Sequence, residues 1–133
     1  MPVIAAQTCD REVVTEYSST TSRAVIQHNL TADSNIYASL SEGFKAGGYA
    51  TYECTEPYDP EEVTSLEFGF KGSLSENTSL NASLFRYDYT DFQVLQVVGI
   101  QTVTRNAGDA TVNGLELEAL TNVSDSLTLN YGV

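Results

Sequence analysis

The 133-residue chain carries 18 acidic and six basic residues, a net charge of −12. A nucleic-acid interface needs a basic stripe to displace counterions, and the basic residues here are scattered singly, so nucleic acid is excluded as a partner, and so is a polybasic membrane anchor. No run nears the roughly 18 apolar residues of a spanning helix, which excludes helical membrane proteins but leaves open a membrane barrel, whose strands show only every second residue to lipid.

Charged residues make up 18% of the chain, below the usual quarter, and there are only three prolines and no sustained helical period. This composition favours an all-β protein with polar turns. Met1–Thr8 is too short for a signal peptide and has no basic start, so the chain is either cytosolic or a piece of something longer. Cys9 and Cys54 belong to no Cys-x-x-Cys or Cys/His cluster, so a zinc site has no support. Export would allow them to pair, and two free thiols are the plainer reading. No cofactor is implied.

In chain order, residues 1–20 show no clear period and read as an irregular lead-in. Residues 21–30 alternate, with Ala24, Ile26, His28 and Leu30 on one face. Thr31-Ala-Asp-Ser34 supplies turn chemistry, and the chain returns along 35–45, which makes a hairpin. In the returning strand Ile36, Ala38, Leu40 and Phe44 share one face, while Tyr37, Ser39, Ser41, Gly43 and Lys45 share the other. Residues 46–62 form the longest polar interval, with Gly47-Gly48, two prolines and five acids. Those acids could hold a hard cation such as calcium, but no fixed ligand spacing is present and a solvated acidic loop is the plainer reading.

Residues 63–74 give the cleanest strand: Leu66, Phe68, Phe70 and Leu74 on one side, Ser65, Glu67, Lys71 and Ser73 on the other. Ser75-Glu-Asn-Thr78 turns. Residues 79–98 read as one long extended segment in which Leu80, Ala82 and Leu84 take one phase and Phe85, Tyr87 and Tyr89 the other. That slip fits either a bulge or an aromatic set turned inward, and the clustered rings also fit a membrane girdle. A short return at 99–101 leads into 102–121, where Leu115, Leu117 and Ala119 oppose Glu116 and Glu118. Residues 122–126 turn, and a last alternating strand starts at Leu127. The sum is an antiparallel up-and-down meander of about six strands.

The chemistry-bearing residues are few. Glu116 and Glu118 lie on one side with carboxylates about 7 Å apart, a spacing two acids can use in glycoside hydrolysis, although two acids facing a wet interior is the simpler reading. His28 is the single histidine, and no Gly-x-Ser-x-Gly anchors a triad, so the chain is not expected to be an enzyme. Gly43, Gly47 and Gly48 precede no helix and form no phosphate loop. They read as backbone freedom where a strand bends into a loop, as do Gly108 and Gly114, with Asn106 tolerating a left-handed conformation. Four Asn-x-Ser/Thr sequons, at Asn29, Asn77, Asn81 and Asn122, mostly fall beside turns that want Asn and Ser anyway.

Four phrases in order carry a resemblance: Ile36-Tyr-Ala-Ser39 leading to Gly43-Phe44-Lys45-Ala46-Gly47-Gly48, with Tyr49 after it; then Pro60 to Lys71; then Leu80 to Val94; then Asn106 to Glu118. Together they resemble the C-terminal β-barrel of TonB-dependent outer-membrane receptors over residues 21–133. The resemblance implies part of a 22-stranded transmembrane barrel in the bacterial outer membrane, filled elsewhere by a plug. It implies import of siderophore-iron, cobalamin or a similar scarce nutrient with energy from TonB. The implied partners are outer-membrane lipid, the remaining barrel and plug, TonB and a small nutrient ligand. The chain shows no plug, TonB box or aromatic-ended terminal strand, so an internal slice of the barrel is expected. On that reading Glu67, Lys71, Glu116 and Glu118 face the lumen. The competing reading is a soluble secreted β-sandwich that binds carbohydrate or protein. The two differ in whether Leu66, Phe68 and Phe70 are sealed under a second sheet.

Overall fold

The computed structural model describes residues 14–49 and 57–133. Cys9, Cys54 and the acids Glu53 and Glu56 lie outside the described residues, as does most of the lead-in. Among the described residues there are eight strands: β1 (Arg23–Asn29), β2 (Ser34–Lys45), β3 (Glu61–Ser75), β4 (Thr78–Thr90), β5 (Gln93–Val98), β6 (Gln101–Asn106), β7 (Ala110–Ser124) and β8 (Leu127–Gly132). Six form one sheet in the order β1-β2-β3-β4-β7-β8, and β5 and β6 pair only with each other in the sheet topology. The antiparallel meander of the sequence reading is therefore present, with a hairpin added to it.

Contacts divide the chain into two units. One comprises Thr21–Gly43, Val63–Asp88 and Thr111–Val133, here the sheet unit; the other comprises Met1–Thr20, Phe44–Glu62 and Tyr89–Ala110, here the loop unit.

The sheet unit shows why hydroxyl residues sit at its tight turns. In each of the three, a Ser or Thr oxygen accepts the backbone N–H two residues on: Thr31 from Asp33 at 3.2 Å, Ser75 from Asn77 at 3.4 Å, and Ser124 from Ser126 at 3.4 Å. Such side chains supply a turn bond from within the turn. The β1–β2 register places Ile26 opposite Ala38 and His28 opposite Ile36, so the apolar phases of both strands fall on one face. The β7–β8 ladder is irregular between Asn122 and Ser124.

No described residue covers the apolar face. Phe68 is 50% exposed, Leu84 58% and Leu115 59%, and the only buried apolar side chains among the described residues are Val103 and Ala119. A sandwich would have sealed this stripe under a second sheet, so the soluble-sandwich reading does not hold. An apolar stripe of this extent marks a surface that meets something other than water.

Two long segments of the sequence reading are broken. The stretch 79–98 ends its first strand at Thr90, because Asp91 adopts φ +53°, and resumes as β5. Aspartate tolerates this left-handed region better than most residues. The stretch 102–121 is likewise split between β6 and β7, with Gly108 at φ +98°. The return at 99–101 is thus the tip of the β5–β6 hairpin, with Gly99 at φ +65° and Val97 opposite Thr102, not a link between two strands of the large sheet.

Candidate functional site

On the polar face of the sheet unit, Tyr37, Glu67, Lys71, Glu116 and Glu118 line one depression, with Asn81 and Asn130. Four of these were singled out from strand phase, and the structure brings all four together. Tyr37, which phase alone placed on this face without a role, joins two of them. Its hydroxyl donates to the Glu67 carboxylate, and the Lys71 ammonium lies 5.2 Å from the centre of its ring. Glu67 and Lys71 are too far apart along β3 to meet directly. Tyr37 links them, through a hydrogen bond at one end and a cation–ring contact on its face.

The ring can lie there because β3 carries Gly69 beneath it. A Cβ at that position would collide with the Tyr37 ring. A second seat has the same form: a Cβ on Gly114 would strike the Phe85 ring, which stacks on Tyr87 with centroids 4.8 Å apart and planes 20° apart. The question left open at Leu84/Phe85 is answered by an aromatic set on the polar face of the sheet unit. β4 runs unbroken, and Phe85 and Tyr87 share the face of Gly114 and Glu116, so these two rings form no girdle on the apolar side. The expectation that Gly43 and Gly114 provide backbone freedom is also corrected, since neither has a left-handed φ. What matters is space: at Gly43 a Cβ would come within 2.8 Å of Val63.

Further along β4, Arg86 forms a two-bond pair with Asp88 at 2.7 and 2.8 Å, and Asp88 also accepts from the Thr111 hydroxyl at 2.8 Å. Both members of this pair are about half exposed, so it contributes little stability.

In the loop unit, amide side chains join segments that the β5–β6 ladder does not reach. Asn106 accepts from the Asp59 N–H at 2.7 Å and donates to the carbonyls of Asp59 at 3.0 Å and Asp91 at 2.6 Å. This replaces the expected role of Asn106, which is not in the left-handed region. Buried Gln93 donates to the carbonyls of Ala46 at 3.1 Å and Asp59 at 3.0 Å, while its own N–H is accepted by Glu61 at 2.7 Å. Lys45 stands 3.9 Å from the same Glu61 carboxylate. Phe44 is half-buried. Gly48 exchanges backbone bonds with Tyr58 at 3.0 and 2.8 Å, and a Cβ on Gly48 would lie 2.6 Å from the Tyr58 hydroxyl. A Cβ on Gly47 would meet the Tyr17 ring at 2.8 Å. These two glycines admit close neighbours, and of the singled-out glycines only Gly108 uses a left-handed backbone. No group of three or more His, Cys, Asp or Glu among the described residues is placed to hold a metal ion.

A six-stranded meander with one bare apolar face, one polar face and hydroxyl-built tight turns defines a stretch of membrane β-barrel wall. Residues 6–133 match the family model described as "TonB dependent receptor-like, beta-barrel". The pesticin receptor of Yersinia enterocolitica serotype O:8 / biotype 1B is 33% identical over 95 residues, which cover 68% of this chain and 14% of that protein. The pesticin receptor from another Yersinia enterocolitica source gives the same figures. Among solved structures, the ferric yersiniabactin uptake receptor FyuA of Yersinia pestis superposes with a TM-score of 0.68 at 23% identity, over 83% of this chain and 17% of that one. The chain belongs to the TonB-dependent receptor β-barrel family. It spans about one-seventh of the length of the curated relatives it matches.

Proposed function

We propose that this segment forms wall and loop of a 22-stranded outer-membrane, TonB-dependent transporter that imports a siderophore-bound metal or a similar scarce nutrient. The observation that carries the reading is the division of the sheet unit into faces. The stripe containing Phe68, Leu84 and Leu115 has no cover among the described residues, and the opposite face gathers Tyr37, Glu67, Lys71, Glu116 and Glu118. A barrel in the outer membrane meets lipid with the first and water or plug with the second. The relatives' names, a pesticin receptor and a ferric yersiniabactin uptake receptor, favour a siderophore as cargo. On this reading Glu116 and Glu118 are wall charges and not an acid–base pair, and the protein transports without catalysis.

The test is uptake. The full-length gene containing this segment is expressed in a Gram-negative strain stripped of its own receptors, and cells are given radiolabelled iron on a panel of siderophores. Accumulation of at least one complex, abolished when TonB is deleted, is the expected result. Absence of uptake across the panel and across cobalamin, with the receptor present in the outer membrane, contradicts the proposal.

A further inference from the structure

The β5–β6 hairpin has one edge left open. Gly99 and Ile100 close it as a two-residue turn, so Val98 and Gln101 form the hydrogen-bonded pair next to the turn. Hydrogen-bonded pairs alternate along an antiparallel ladder, so Gln96 and Val94 bond to β6 as well. Gln93, Leu95 and Val97 therefore aim their N–H and C=O groups away from β6. The Gln93 N–H agrees with this phase, since Glu61 accepts it at 2.7 Å. Leu95 and Val97 differ: among the described residues β5 pairs with β6 alone, and none bonds to their outward groups. The two residues are 75% and 71% exposed. Open edges are usually blunted by a lysine, a proline or a bulge. Gln93–Val98 has none of these, its register with β6 runs unbroken, and residues 93–104 carry no charge in a chain of net charge −12.

We propose that the edge of β5 at Leu95 and Val97 is a docking site for an extended segment of a cationic polypeptide, which adds to the hairpin as a third strand. Two N–H and two C=O groups repeating about 6.8 Å apart are matched by another extended backbone, and by neither a lipid nor a metal chelate. The exposed Leu95 and Val97 call for apolar side chains at alternate positions of the added strand. A second copy of this chain fits less well. Two outward residues offer at most four backbone bonds, a contact far short of the roughly 1,000 Å² that a stable interface between folded proteins buries. Two chains of net charge −12 also repel, whereas the same charge draws in a cationic partner. A flexible segment can use so small a footprint, because main-chain bonds give affinity and alternate side chains give specificity. Approach of the partner from outside the cell rests on the transporter reading above, since the longer loops of such barrels lie there; the chemistry of the edge does not.

The test uses the full-length receptor in nanodiscs and one synthetic probe, a fluorescent peptide of Thr-Val repeats between terminal lysines, followed by anisotropy. Saturable binding is expected. When the probe's valines lie beside Leu95 and Val97, their backbone nitrogens face β5 and those of the threonines face away. Methylating the valine nitrogens should therefore weaken binding roughly tenfold, and methylating the threonine nitrogens should leave it nearly unchanged. In the receptor, Val97→Pro removes an outward N–H and no ladder bond, so a several-fold loss is expected. Slow hydrogen exchange at the Gln96 amide, opposite Val103, confirms that the hairpin persists in that variant. Glutamates in place of the terminal lysines should weaken binding, and the difference should fade in high salt. No binding at millimolar peptide, equal sensitivity to the two methylation patterns, or binding unchanged in Val97→Pro overturns the proposal. So does a receptor dimer that cross-links through Leu95→Cys, with Cys9 and Cys54 replaced by Ser, and is lost on adding Val97→Pro, since a second copy would then be the occupant. Labelling of Ile100→Cys on whole cells by a membrane-impermeant maleimide, in the same cysteine-free background, checks the side of the membrane separately. Absence of that label would contradict the transporter reading, while the peptide result would still decide the edge.

Discussion

The sheet unit and the loop unit satisfy their backbones in different ways. In the sheet unit, ladder bonds do the work and side chains are left to sort by face, so Phe68 and Glu67 can be neighbours in sequence and opposites in environment. In the loop unit the β5–β6 hairpin keeps its ladder, and beyond it side-chain amides join the segments: Asn106 and Gln93 between them reach the backbone of Ala46, Asp59 and Asp91. The first arrangement tolerates polar substitution on one face and is intolerant on the other. The second concentrates its vulnerability in two residues. The contrast separates what a membrane demands of a strand from what an ordered loop demands of its base.

The largest expected effect is on the apolar face. Phe68→Arg in the full-length receptor should cost about 2–4 kcal/mol if the site lies near the bilayer midplane. Denaturant unfolding of the receptor in lipid vesicles measures this, and a cost no greater than that of Lys71→Ala on the polar face would collapse the distinction between faces.

Next come the glycine seats. Gly114→Val would displace the Phe85 ring and Gly69→Val the Tyr37 ring, each at about 1–3 kcal/mol of overpacking strain. The double variant Gly114→Val with Phe85→Ala should recover part of the loss, since the collision is removed. No recovery would mean that the ring is not what Gly114 accommodates.

In the loop unit, Asn106→Ala removes three hydrogen bonds and should weaken local order by about 1–3 kcal/mol. Hydrogen exchange should speed at the amide of Asp59 and at its neighbours in the loop unit while β1–β2 amides keep their protection. Uniform acceleration in both units would contradict the division between them.

The smallest effect is Tyr37→Phe, which removes the hydroxyl bonded to Glu67 but keeps the ring over Gly69 and near Lys71. About 0.5–1.5 kcal/mol is expected. A loss as large as that of Gly69→Val would place the weight on the hydrogen bond and not on the seated ring.

Much of the sheet unit was legible because its alternation is enforced by two unlike environments. Leu66 to Lys71 carries its face assignment in every second residue, and that phase, read with the barrel resemblance, groups Glu67 and Lys71 with Glu116 and Glu118. The seats under Tyr37 and Phe85 were not legible, because a ring and its glycine lie on different strands and strand register is not written locally. A Gly flanked by large residues within a clean strand, as at Phe68-Gly-Phe70, was the available signal. The β5–β6 hairpin was missed for a different reason. Val94 to Val98 lacks clean alternation, and Asp91 gives no advance sign of a left-handed turn. Asn106 was noticed for its backbone tolerance, whereas its role comes from side-chain reach to Asp59 and Asp91.

The central claim is that adjacent residues of β3 meet opposite media. Spin labels at Phe68→Cys and Glu67→Cys, each in the full-length receptor with Cys9 and Cys54 replaced by Ser, test it by power saturation in lipid bilayers. The account predicts that collisions with oxygen dominate at position 68 and collisions with a water-soluble nickel chelate dominate at position 67. Equal profiles at the two positions, or the reverse order, would contradict it.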